Sequence, residues 1–254
     1  MAEETAQPTH SGAAEHANRR LEGRVAVVTG ASRGLGHALA ACLAAEGAQC
    51  VLIGRTVGAL EELDDEICAA GGRKPLLVPF DLRQGEAIDA LGGALNERYG
   101  TVDLLIGAAA SLGTLSPVGH FKPSIWDDTL KVNLTANWRL LRSLDPLLRQ
   151  GGGGQATFIT CPRPAEGEAF WGLYNAGKAA LEELVRSYAA ENRKFGVRAN
   201  LLMPGPFRSG LRTQAFPGEP AESLPTPEAM ARACLPHLLP DAQDNGKIIP
   251  VSAT

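Results

Sequence analysis

RVAVVTGASRGLGHALA, residues 24–40, sets an apolar run against a glycine-rich turn and then a stretch with helical spacing. The run from Val25 to Thr29 has the length and β-branched content of a buried strand. Gly30, Gly34 and Gly36 follow it as T-G-x-x-x-G-x-G, and apolar residues recur at helix period from Gly34 onward. Glycines at such a turn permit a tight bend and a close backbone approach. The start of the helix offers unpaired N–H groups and a partial positive charge to a phosphate. Placement between an apolar strand and a helix is what separates this cluster from an ordinary turn.

Outward from this unit the same alternation continues. Short apolar runs at 50–54, 75–80, 102–107, 156–160, 197–203 and 247–251 are separated by stretches of helical period, including helices around 84–99, 124–149 and 171–194. Apolar runs of this kind need cover on both faces, which predicts an α/β fold: a Rossmann-type, doubly wound, parallel seven-stranded sheet with helices on both faces. One domain over 21–254 is expected, preceded by a polar, acidic leader over 1–20 that carries no core residues. RQGGGG at 149–154 reads as a flexible turn. The segment 203–230 is too rich in Pro and Gly for one regular element, and is either a substrate-covering segment or a solvated connection.

Composition narrows the function classes. With 44% hydrophobic and 20% charged residues the chain has ordinary globular usage, and a net charge of -4 without a long basic run argues against nucleic acid or an anionic membrane surface as partner. No apolar stretch is long enough to span a bilayer. The five cysteines are scattered without a C-x-x-C pair, which fits a reducing cytoplasm, and the histidines show no ligand spacing, so no metal is expected.

The turn resembles the glycine motif of the short-chain dehydrogenase/reductase family, and the resemblance extends over nearly all of the chain after residue 20. It implies a dinucleotide held by Gly30, Ser32, Arg33, Gly34, Leu35 and Gly36, with Asp81 and Leu82 at the adenine and Ala108 beside the nicotinamide ribose. By itself Asp81 reads as a residue ending a strand and capping a helix. Cofactor choice follows from charge. Gly54 stands where NAD-preferring members place an acidic residue, and Arg55 and Arg33 can grip a 2'-phosphate, so NADP(H) is expected.

Tyr174 and Lys178 form Y-x-x-x-K, a spacing that puts both side chains on one helix face. A phenol with an ordinary pKa near 10 is a poor proton shuttle at neutral pH, so a neighbouring ammonium, supplied by Lys178, and the positive nicotinamide are needed to favour phenolate. The pair resembles the family's acid/base centre, with Lys178 also holding ribose hydroxyls and Asn133 bending a helix and anchoring a water that relays protons to the lysine. Pro204, Gly205 and Ser209 match the turn that meets the nicotinamide carboxamide, Ser209 replacing the usual Thr.

Two departures stand out. Where the family has a serine that holds the substrate carbonyl, this chain has Cys161, preceded by Thr160. A thiol is a weaker donor than a hydroxyl, so Cys161 substitutes imperfectly, Thr160 takes over, or carbonyl reduction is no longer selected. The usual N-N-A-G after the fourth strand is Gly107, Ala108, Ala109, Ala110, without the asparagines that brace the cleft. The expected activity is NADP(H)-dependent reduction of a ketone or aldehyde, or the reverse. The alternative is a cofactor-binding sensor or partner subunit with little turnover. Ser111 to Leu115, Phe170, Trp171 and Phe207 to Phe216 are candidate contacts to a small-molecule carbonyl or alcohol with apolar bulk, or else packing and interface residues. The resemblance implies a homodimer or homotetramer built on the helices at 124–149 and 171–194.

Overall fold

The computed structural model describes residues 19–162 and 167–253. The expected leader falls almost wholly outside them; its last two residues are held to the body, Arg19 through the Gly71 carbonyl and Arg20 by an ion pair with Glu46.

Seven strands form one sheet: β1 (Val25–Thr29), β2 (Gln49–Gly54), β3 (Leu76–Pro79), β4 (Leu104–Gly107), β5 (Gln155–Ile159), β6 (Arg198–Pro204) and β7 (Ile248–Val251). Their order is β3-β2-β1-β4-β5-β6-β7, and every pairing is parallel. All of β1 and β4 is buried, which explains why these runs are continuously apolar rather than alternating. On one face α1 (Gly34–Ala45) and α2 (Val57–Ala69) pack beside β1 and β2. On the other lie α3 (Gly85–Tyr99), α5 (Ala136–Gln150) and α6 (Gly172–Asn192). After β3 the chain crosses to the far side of β1, so the strand order reverses between β1 and β4. The carboxyl ends of strands diverge at such a point and open a crevice.

Two stretches take a more definite form than in the sequence reading. The helix expected over 124–149, bent at Asn133, is α4 (Pro123–Leu130), a π-helical turn (Lys131–Thr135) and α5, with Asn133 at the centre of the wide turn. The Pro- and Gly-rich segment contains α7 (Gly210–Ala215) and the start of α8 (Pro227–Cys234). Hydroxyls start both helices: Ser209 Oγ accepts from the Arg212 N–H and Thr226 Oγ1 from the Ala229 N–H.

Candidate active site

At the β1–α1 turn, Gly30 and Gly34 adopt positive φ, +70° and +59°. Close approach matters as much. A Cβ on Gly36 would stand 2.4 Å from the Gly30 carbonyl oxygen, and one on Gly30 would stand 2.9 Å from the Ala109 backbone. The turn, the first coil of α1 and the loop after β4 therefore converge with no room for side chains. Because α1 begins without a side-chain cap, its first N–H groups remain for an anion.

Every residue expected to hold the dinucleotide lines one cleft of about 930 Å³ at the crevice, together with Cys161, Tyr174 and Lys178. Arg33 and Arg55 are exposed at its edge, and among the described residues neither guanidinium is ion-paired. Arg33 reaches toward α7, its guanidinium 3.8 Å from where a Gly210 Cβ would be. Asp81 does not cap α3, which starts at Gln84 without a side-chain cap. Its carboxylate instead accepts from the Arg83 backbone N–H at 2.9 Å and side chain at 2.7 Å, and the Arg83 guanidinium holds it below the usual carboxylate range. Arg83 also donates to Asp128 on α4 at 2.9 Å, a bridge across the cleft rim that motif reading does not reveal.

The catalytic candidates lie along α6. Three consecutive residues at the end of β5 meet three successive turns of that helix. The Ile159 carbonyl accepts from Lys178 Nζ at 2.7 Å, Thr160 Oγ1 donates to Glu182 Oε1 at 2.6 Å, and Cys161 is hydrogen-bonded to the Tyr174 hydroxyl. Thr160 is thus turned to Glu182, and Cys161 is the one that meets the phenol. Burial, then Cys161, raises the Tyr174 pKa, so the phenol is held protonated, the opposite of the phenolate that Lys178 was expected to favour, because burial outweighs the neighbouring ammonium. Burial lowers Lys178 to about 8 despite the opposing effects of Cys161 and Glu182.

Asn133 is fully buried and does not line the cleft. Its amide spans the Ser111 backbone, accepting from the N–H and donating to the carbonyl, each at 2.8 Å. The wide π turn leaves its own carbonyl to accept from Asn137 Nδ2 at 2.9 Å. Gly177 lets α6 approach this turn, since a Cβ there would lie 3.3 Å from the Asn133 Cβ. The loop without the usual asparagines is braced from neighbouring elements: Ala109 N–H donates to Thr29 Oγ1 at 3.3 Å, and the same hydroxyl donates to the Ile106 carbonyl.

A profile of the short chain dehydrogenase family matches residues 24–220. The chain belongs to this family. It is 32% identical to the uncharacterized oxidoreductase YciK of Escherichia coli K12 over 209 residues, 82% of each chain. The solved structure of the E. coli oxidoreductase yciK superposes with a TM-score of 0.87 at 30% identity, covering 96% of this chain and 98% of that one. A metagenomic short-chain oxidoreductase in complex with NADP superposes with a TM-score of 0.78 at 32% identity, covering 92% and 99%.

In this short chain dehydrogenase the far end of the cleft is aromatic. The Trp171 ring meets Tyr174 edge-on at 6.0 Å and Phe216 at 5.7 Å. Arg212 stacks on Phe216 and pairs with Glu219 through two bonds of 2.6 Å, which consumes its charge. Gln214 Nε2 ties α7 to the Gly113 carbonyl at 3.3 Å. Phe207, Leu211 and Leu112 also line this end, whereas Phe170 does not and stands exposed. No cluster of potential metal ligands occurs among the described residues. No helix there is long and apolar enough to cross a membrane.

Proposed function

We propose that this chain reduces the carbonyl of a ketone or aldehyde with NADPH, Tyr174 giving its proton to the carbonyl oxygen. One observation carries the reading: a phenol held protonated in the cleft by burial and by Cys161, with a buried ammonium one helical turn away. Like any phenol, Tyr174 carries its proton at neutral pH, the form that gives a proton in reduction; the reverse reaction needs it as phenolate and belongs to alkaline solution.

The residues fit NADP(H). The crowded glycine turn admits a pyrophosphate against bare backbone, and Arg33 and Arg55 supply two cations for a 2'-phosphate where Gly54 offers no carboxylate. The NADP complex of the metagenomic relative supports the same choice. Asp81 and Leu82 would bracket the adenine, Lys178 the ribose hydroxyls, and Pro204, Gly205 and Ser209 the carboxamide, the Ser209 hydroxyl accepting from the Arg212 N–H while its own O–H remains to donate. When bound, the dinucleotide supplies the hydride. Cys161 then orients the carbonyl oxygen next to Tyr174, and Asn133 keeps the Ser111 loop in place beneath it.

The aromatic end, with its cation neutralised by Glu219, suits an apolar, uncharged carbonyl compound. The weak donor at Cys161 favours one second reading, an NADP(H)-binding sensor with little turnover. We place the protein in the cytoplasm, where its cysteines stay free, as a homodimer or homotetramer. The test is a panel of neutral ketones and aldehydes followed by loss of NADPH absorbance. Tyr174→Phe should lower the rate at least ~100-fold while NADPH still binds. Undiminished activity in that variant would remove Tyr174 from the chemistry, and NADPH binding without turnover on any carbonyl would favour the sensor.

A further inference from the structure

Position 182 was no part of the Y-x-x-x-K reading, yet it continues that face of α6 by one more turn, and Glu182 is only 4% exposed. A carboxylate that far from water is costly unless it is hydrogen-bonded and near opposite charge. Both conditions are met. Thr160 Oγ1 donates to it at 2.6 Å, and one turn toward the cleft lies the Lys178 ammonium, 2% exposed and pinned to the carbonyl of the preceding residue, Ile159. Adjacent residues of one strand end thereby fix a buried carboxylate and a buried ammonium on successive turns of one helix.

We infer that Glu182 is a positioning residue for the reaction: its buried carboxylate, held by Thr160, keeps Lys178 in place as the charged partner of Tyr174. The inference rests on the role proposed for Tyr174 and Lys178. Burial works against charge on Lys178, and the titratable groups that act on it are few: Glu182 on its own helix and Cys161 after β5, while the Tyr174 ring lies beside the ammonium and the π turn packed against α6 presents the uncharged Asn133. Glu182 and Cys161 both favour the ammonium, so loss of the carboxylate leaves the burial less opposed. Thr160 gains a second purpose in this arrangement. By engaging Glu182 it is drawn away from the carbonyl position that Cys161 occupies.

Glu182→Gln separates charge from structure, because the amide oxygen can still accept from Thr160, and Glu182→Asp keeps the charge while altering the packing. The Lys178 titration can be read directly from the lysine ε-carbon resonance of the ligand-free protein. The wild-type midpoint is expected at about 8. Glu182→Gln should lower it by about one pH unit, and Glu182→Asp should leave it near the wild-type value. The alkaline limb of kcat/KM should move to lower pH in Glu182→Gln alone. An unmoved midpoint in Glu182→Gln, or equal shifts in both variants, would overturn the role of the charge. Wild-type protein inactive on every carbonyl would instead count against the reaction, while the titration still decides on Glu182.

Discussion

Around Gly30 and Gly36 the cleft wall is bare backbone, closed so tightly that a Cβ on Gly36 would meet the Gly30 oxygen at 2.4 Å. Around Tyr174 it is made of side chains, each set by a bond to the end of β5. The first wall works by excluding atoms, and any side chain is an intrusion. The second works by the identity of atoms, and conservative exchanges should tune it. The sharpest way to break this contrast is Gly36→Ala. Overpacking against backbone costs about 3 kcal/mol or more where nothing can yield, so NADPH affinity should fall at least ~100-fold, accompanied by a lower melting temperature. Fluorescence titration with NADPH would measure it. Retained affinity would mean that the turn can open, and the wall would not be rigid backbone.

That contrast also explains what could be read before folding. Exclusion leaves a local trace: glycines must sit in the turn itself, so T-G-x-x-x-G-x-G and the apolar runs around it disclose the fold and its parallel sheet. Y-x-x-x-K is likewise local to one helix. The bonds that set those side chains are not. Thr160 and Glu182 are 22 residues apart, Thr29 and Ala109 80, and Arg83 and Asp128 45, so no spacing rule connects them. The bend at Asn133 was legible only through the family resemblance, because a π turn widens a helix without changing its apolar rhythm. The helices α7 and α8 were hidden by composition, although Ser209 and Thr226 carry the capping signal within it.

A smaller effect sharpens the border between the two walls. Arg33 and Arg55 stand at the edge of the backbone turn, where selection by charge takes over from selection by space. Removing both guanidiniums should weaken NADPH binding by roughly 10- to 100-fold, in keeping with hydrogen bonds to a charged group. NADH, which lacks the 2'-phosphate, should be nearly indifferent. Affinities for both nucleotides in Arg33→Ala, Arg55→Ala and the double variant would be compared. Equal losses for NADH and NADPH would show that the arginines support the turn and do not read the phosphate.

The mildest change probes atom identity within the second wall. The Cys161 sulfur takes part in a hydrogen bond with Tyr174, but a thiol has little to give to a carbonyl oxygen. A serine there could accept from Tyr174 and donate to the substrate at once. Full loss of one such donor costs about 100- to 1,000-fold in other enzymes; because the thiol retains part of the function, Cys161→Ser should raise kcat on simple ketones by about tenfold. NADPH affinity should not change, since the exchange acts on the carbonyl and leaves the glycine turn as it was. Single-turnover reduction measured beside NADPH binding would separate the two. Unchanged or slower reduction would mean that the carbonyl does not rest against position 161, and the order along α6, with Cys161 on Tyr174 and Thr160 on Glu182, would then serve packing and not proton transfer.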